Sequence, residues 1–128
     1  MLREGAERGD GTGDEASAQP TSIDEGDAAL RCVRCGAAIA RARDRIERFG
    51  AHLHERVNPA GYVFTIGCFS RADGARAEGD PSTDFAWFPK HAWQVAVCGT
   101  CGVHLGWSFT PGDGAGFWGL VLDKIAEG

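Results

Sequence analysis

The chain has 128 residues, 43% of them hydrophobic and 24% charged, which suits one globular domain with a modest core. No apolar run is long enough to span a bilayer, and the opening MLREGAERGDGTGDE has neither the basic nor the apolar region of a secretory signal, so a cytoplasmic protein without membrane contact is expected. The net charge of −5 is uneven: residues 1–29 hold two Arg against eight Asp/Glu, leaving 11 basic and 10 acidic residues in the body, which has no basic surplus for nucleic-acid phosphates.

Residues 1–29 are rich in Gly, Asp, Glu, Ser and Ala and contain no aromatic residue. Such a segment cannot bury enough apolar area to offset its ordering entropy, so a disordered acidic leader is expected ahead of a domain at 30–128. From Leu30 the texture changes. LRCVRCGAAIA reads as a tight turn between strands, and ARARDRIERFG as a short amphipathic helix or an irregular link. AHLHERV alternates as a strand does, with His52 and His54 on one face and Leu53 on the other. NPAG has turn chemistry, and YVFTIGCFS, dense in β-branched and aromatic residues, reads as a buried strand. RADGARAEGDPSTD reads as a polar loop. AWQVAVC, HLGWSF and FWGLVL read as three further short strands separated by Gly turns. Short strands with Gly and Pro punctuation predict an all-β domain of small antiparallel sheets.

Four of the five cysteines form two matched knuckles, Cys32-Val-Arg-Cys35-Gly and Cys98-Gly-Thr-Cys101-Gly. In such a knuckle the turn points both sulfurs inward, and the Gly lets backbone N–H groups approach them. Two knuckles supply four thiolates in a tetrahedron, the closed arrangement that a structural zinc prefers, although thiolates also hold iron. A single redox pair explains only one knuckle, and disulfides do not suit a cytoplasmic protein. Cys68 lies apart in the apolar TIGCFS, where a buried thiol behaves as a small hydrophobe. With four cysteines on the metal, His52, His54, His91 and His104 read as structural or surface residues.

Three of the four tryptophans, Trp87, Trp93 and Trp107, fall within 21 residues around the second knuckle. WFPKHAW places Pro89 and Lys90 between two of them, which reads as a loop over a surface, and the knuckle brings Trp107 beside that loop. A metal-tied scaffold presenting several aromatic faces describes a cage. Trp118, in FWGL, reads as core.

VNPAGYV, GDPSTDFAWFPKHAW, CGTCGVHLGWSF and FWGL occur in the order found in the CULT domain, and from Leu30 onward the chain resembles this thalidomide-binding domain of the cereblon family in its stand-alone bacterial form. The resemblance implies a β-tent, two antiparallel sheets pinned at one end by a four-cysteine zinc. It implies pocket walls of Trp87, Trp93 and Trp107 with Phe109 at the base, and a cyclic imide edge read by backbone groups of Phe85 and Trp87. Asn58 and Pro59 would line the rim. Phe85 replaces a His of the vertebrate domain, so only its backbone role carries over, with its ring extending the apolar wall. No counterpart of the protease-like N-terminal domain and ligase-adaptor contacts of the longer family members is expected, so a role in ubiquitin ligation is not carried over.

A glutarimide, succinimide or uracil-type ring, or a cyclised Asn or Gln at a peptide end, joins apolar ring atoms to a planar acceptor–donor–acceptor edge. Tryptophan faces and buried backbone groups match those two parts. The expected protein is therefore a monomeric binding module and not an enzyme. Two alternatives compete: an enzyme like methionine sulfoxide reductase B, which needs a reactive thiol in the pocket, and a reader of methylated ammonium groups, which usually adds a carboxylate to the cage.

Overall fold

The computed structural model describes residues 28–127. The acidic leader expected over residues 1–29 lies almost wholly outside them. The strands are β1 (Ala29–Cys32), β2 (Ala38–Arg41), β3 (Leu53–Val57), β4 (Val63–Phe69), β5 (Ala75–Ser82), β6 (His91–Cys98), β7 (His104–Pro111), β8 (Phe117–Val121) and β9 (Ile125–Glu127). They form two antiparallel sheets, ordered β2-β1-β9 and β3-β4-β8-β7-β6-β5. The all-β expectation holds. The first described strand takes in Ala29, one residue ahead of Leu30: Ala29 is buried, and the Ala28 carbonyl accepts the Ala42 N–H.

Alternation along the strands sorts side chains onto the two faces of the larger sheet. On β8, Phe117 and Val121 join the cluster on one face, with Ile66, Cys68, Phe88 and Phe109. Leu120 lies on the other face with Phe69 and Leu105, where it meets Leu30, Ile39 and Ile125 of the smaller sheet. The larger sheet is thus covered on one side by the small sheet and on the other by loops. Trp118 flanks the inter-sheet cluster and is only half-buried, so it is a boundary residue and not full core.

One segment decides between two open readings in favour of the irregular link, and a second departs from the sequence reading. ARARDRIERFG holds no α-helix, only a 3-10 turn at Ala42–Asp44, where the Asp44 carboxylate accepts the Arg41 N–H at 3.0 Å. Its later apolar residues are just Ile46 and Phe49, too few to provide the packed face from which a short helix draws its stability. The supposed polar loop RADGARAEGDPSTD contains β5. This is an edge strand, and charged side chains, a Pro and a bulge are how edges avoid further pairing. Its register with β6 shifts between Glu78 and Ser82, around Gly79 at φ +81° and Pro81.

Candidate metal centre and ligand cavity

The metal centre joins the first hairpin to the β6–β7 turn. Each knuckle closes in the same way: Gly36 N–H donates to the Cys32 carbonyl at 2.8 Å, and Gly102 N–H to the Cys98 carbonyl at 2.9 Å. Gly36 and Gly102 have φ of +82° and +81°, a left-handed conformation that glycine adopts without a Cβ clash. The four Sγ atoms of Cys32, Cys35, Cys98 and Cys101 lie within 4.8 Å of one another. Across the knuckles, Cys32–Cys101 and Cys35–Cys98 are 3.8 and 3.6 Å apart. A tetrahedron with metal–sulfur bonds of about 2.3 Å has edges of about 3.8 Å, so the thiols stand at coordination spacing and far beyond a disulfide bond.

Burial pushes the Cys98 thiol up, but the N–H groups of Cys101 and Thr100, with the Cys35 and Cys101 thiols, outweigh it and bring it to about 6. Cys35 moves the opposite way: the Ala37 N–H lowers it, but desolvation and the other three thiols raise it to about 11. One thiolate is favoured and the next repelled, which is the electrostatic condition that a shared cation relieves. This is a four-cysteine metal-binding site.

On the loop-covered face of the larger sheet lies a cavity of about 410 Å³. Trp87, Trp93 and Trp107 line it together with Phe109, which is 2% exposed and forms the floor. Trp87 and Trp107 meet edge to face with centroids 4.5 Å apart. Trp87 Nε1 donates to the Val57 carbonyl at 3.1 Å, and Trp93 Nε1 to the Asp84 carbonyl at 2.7 Å. Both indole N–H groups are thereby used to fix ring orientation, so these two residues offer a ligand their faces and not their donors.

Asn58 and Pro59 reach the cavity from the β3–β4 turn, in which Asn58 Oδ1 accepts the Tyr62 N–H at 2.9 Å. Phe85 also lines it, 76% exposed, from a backbone at φ +53°, which is uncommon outside glycine. The backbone N–H and C=O groups of Phe85 and Trp87 make no protein hydrogen bond among the described residues. All seven residues expected for ligand contact therefore surround one space.

Several contributors were not foreseen. Val95 and His104 also line the cavity. Phe64 packs against Trp107 at 5.1 Å. Phe88, in the loop read as running over a surface, is 1% exposed and touches Phe49, His54, Phe109 and Phe117. It holds the Trp87–Trp93 loop down on the sheet. Phe88 follows Trp87 directly in the sequence, and nothing local says which of the two rings turns inward.

Cys68 is fully buried and does not line the cavity, and burial raises its thiol to about 11 despite the opposing charges of Arg48 and Arg56. It acts as a small hydrophobe. The histidines spend a ring nitrogen on local carbonyls: His52 on Ile46, His54 on Arg48 and Ala51, His91 on Pro89, and His104 on Gly106. No helix among the described residues is long and apolar enough to cross a membrane.

An all-β domain closed by a four-thiol metal site and carrying an aromatic-walled cavity defines a ligand-binding class. Comparison with known proteins narrows it. The chain is 41% identical over 79 residues to protein cereblon of Gallus gallus, covering 56% of this chain and 18% of that protein. It is 41% identical over 102 residues to protein cereblon of Danio rerio, covering 75% and 24%, and 32% identical over 82 residues to that of Drosophila grimshawi, covering 61% and 12%. No protein-family model matches. The chain is a cereblon-like CULT domain, and its match spans a quarter or less of the length of these relatives.

Proposed function

We propose that the domain binds cyclic imides and related ureides in the cavity between Trp87, Trp93 and Trp107, catalyses no reaction, and holds one structural Zn²⁺ through its four cysteines. The observation that carries this reading is the pairing of three indoles over the Phe109 floor with unpaired backbone groups of Phe85 and Trp87 in the same wall. Ring methylenes stack on the indoles, and the planar imide edge pairs with the backbone groups, which would otherwise lose hydrogen bonding as water leaves. The four sulfurs leave no coordination position open, so the metal's part is to hold the fold, and the cavity draws its rigidity from it. Thalidomide-type glutarimides, succinimides, uracil-like rings and cyclised Asn or Gln peptide ends share this edge.

The competing readings lack a supporting feature. A sulfoxide reductase needs a thiol in the cavity, and Cys68 is buried elsewhere. A methyl-ammonium reader usually adds a carboxylate, and none lines this cavity, Asp84 giving only its backbone carbonyl to Trp93. A competition titration with glutarimide, uracil and trimethyl-lysine, followed by tryptophan fluorescence, separates the readings. Binding of glutarimide but not trimethyl-lysine is expected, and the reverse order would overturn the proposal.

A further inference from the structure

Two polar side chains face the cavity, Asn58 and His104, and Asn58 Oδ1 is already engaged by the Tyr62 N–H. His104 is there because of a bulge. Val97 pairs with His104 and Ala96 with Gly106, leaving Leu105 as the extra residue on β7. Strict alternation would put His104 on the face opposite Trp107. The bulge brings it to the same face, its ring edge-on to Trp107 at 4.7 Å, while Leu105 turns to the inter-sheet cluster. Gly106 allows this, since a Cβ there would run into the Gly119 carbonyl oxygen of β8.

The hydrogen bonding then sets the tautomer. His104 Nε2 lies 3.0 Å from the Gly106 carbonyl oxygen, so Nε2 carries the proton and donates. Nδ1 is left with a lone pair and no protein partner among the described residues. Contacts with Phe64 at 6.4 Å and Trp107 hold the ring in place. Desolvation, with a smaller contribution from Lys124 and against the Gly106 carbonyl, keeps the imidazole neutral and Nδ1 an acceptor. At about 410 Å³ the cavity has the volume of more than a dozen liquid waters at ~30 Å³ each, more than a single six-membered ring fills.

We propose that His104 is a specificity-determining residue whose Nδ1 accepts a hydrogen bond from a second N–H of the ligand, so that the cavity favours cyclic ureides over imides of the same size. The inference rests on the cyclic-imide reading of the cavity and narrows it. Dihydrouracil and glutarimide test it, because they have the same ring size and imide edge and differ by one N–H in place of a CH₂. One net hydrogen bond predicts a preference for dihydrouracil of roughly three- to tenfold in the unaltered protein.

His104→Phe keeps a ring against Trp107 but removes the acceptor. Read as the ratio of the two affinities, in which any common loss from repacking the wall cancels, the preference should disappear in this variant, and His104→Asn, whose Oδ1 can stand near the Nδ1 position, should retain part of it. A ligand-side control needs no variant: methylating the ring nitrogen outside the imide edge should cost the unaltered protein its preference. Equal affinities for dihydrouracil and glutarimide in the unaltered protein, or parallel losses of both in His104→Phe, would overturn this inference alone. Failure of both rings to bind the unaltered protein would overturn the cyclic-imide reading and this inference with it.

Discussion

Phe88 stands edge-on to Phe109, with ring centroids 4.9 Å apart and planes at 79°. The residue that ties down the Trp87–Trp93 loop thus also braces the floor of the cavity. Phe49 stacks on Phe88 at 5.0 Å and the Arg56 guanidinium lies over its ring at 4.9 Å, so the anchor is enclosed by aromatic and cationic contacts. Phe88→Ala should lower stability by about 3–5 kcal/mol, as for other buried Phe truncations. It should also weaken ligand binding at temperatures where the protein remains folded, because the loop bearing Trp87 loses its attachment. Denaturant unfolding and a fluorescence titration on the same preparation check both. Lost stability with undiminished affinity would show that the loop is held by other contacts.

The walls should respond differently. Replacing Trp87, Trp93 or Trp107 by Ala removes a contact face at the centre of the cavity, where aromatic truncations commonly cost about 2 kcal/mol, roughly thirtyfold in affinity. Trp118→Ala, half-buried on the opposite face of the sheet, should leave affinity unchanged. Methylating the imide nitrogen should weaken binding strongly by removing the donor. Isothermal titration of the four variants and both ligands reads these effects, and equal binding of parent and N-methyl imide would exclude recognition through the edge.

Gly119 sets the depth of the floor. A Cβ on it would stand 2.8 Å from both Ile66 Cδ1 and Phe109 Cε2, two side chains that are themselves buried. Gly119→Ala should therefore overpack the cluster at a cost of about 1–3 kcal/mol and displace Phe109 toward the cavity. A lower melting temperature together with weaker imide binding is the expected pair of results. A variant as stable as the parent would mean that the cluster absorbs the methyl group.

Metal removal should unfold the domain. The four sulfurs come from the β1–β2 and β6–β7 turns and gather only in the folded chain, so binding free energy is folding free energy. Elemental analysis should find one metal ion per chain, expected to be zinc, and a strong chelator should abolish the cooperative unfolding transition. A folded, metal-free protein with four titratable thiols would refute this.

Acidification should act on His104. Desolvation lowers its pKa from the ordinary 6.5, with Lys124 contributing in the same direction and the Gly106 carbonyl opposing. Below pH about 6.5 the unfolded chain takes up a proton that the folded one resists, so the contribution to stability is complete above that range and is lost as pH falls through it. The imidazole resonances of His104 should titrate with a midpoint below 6.5. A midpoint at or above that value would contradict the burial argument.

Local chemistry determines much of this protein without reference to any tertiary contact. The two Cys-x-x-Cys-Gly knuckles announce a four-sulfur metal site because each is a self-contained turn, closed by its own backbone bond and its own left-handed Gly. The strands at YVFTIGCFS, AWQVAVC, HLGWSF and FWGLVL were legible because β-branched and aromatic residues in short runs suit a pleated, buried surface. Asn58, Pro59, Phe85, the three tryptophans and Phe109 were expected together only through the resemblance to the CULT domain, and they surround one cavity.

Tertiary structure decided what depends on partners distant in the chain. ARAEGDPS is polar enough to pass for a loop and becomes β5 only because β6 offers it an edge. Phe88 and Trp87 are adjacent aromatics, and only the space between Phe49, Phe109 and Phe117 selects Phe88 for burial. His104 enters the cavity through a one-residue bulge, which changes the face of a side chain without leaving any mark on composition or periodicity.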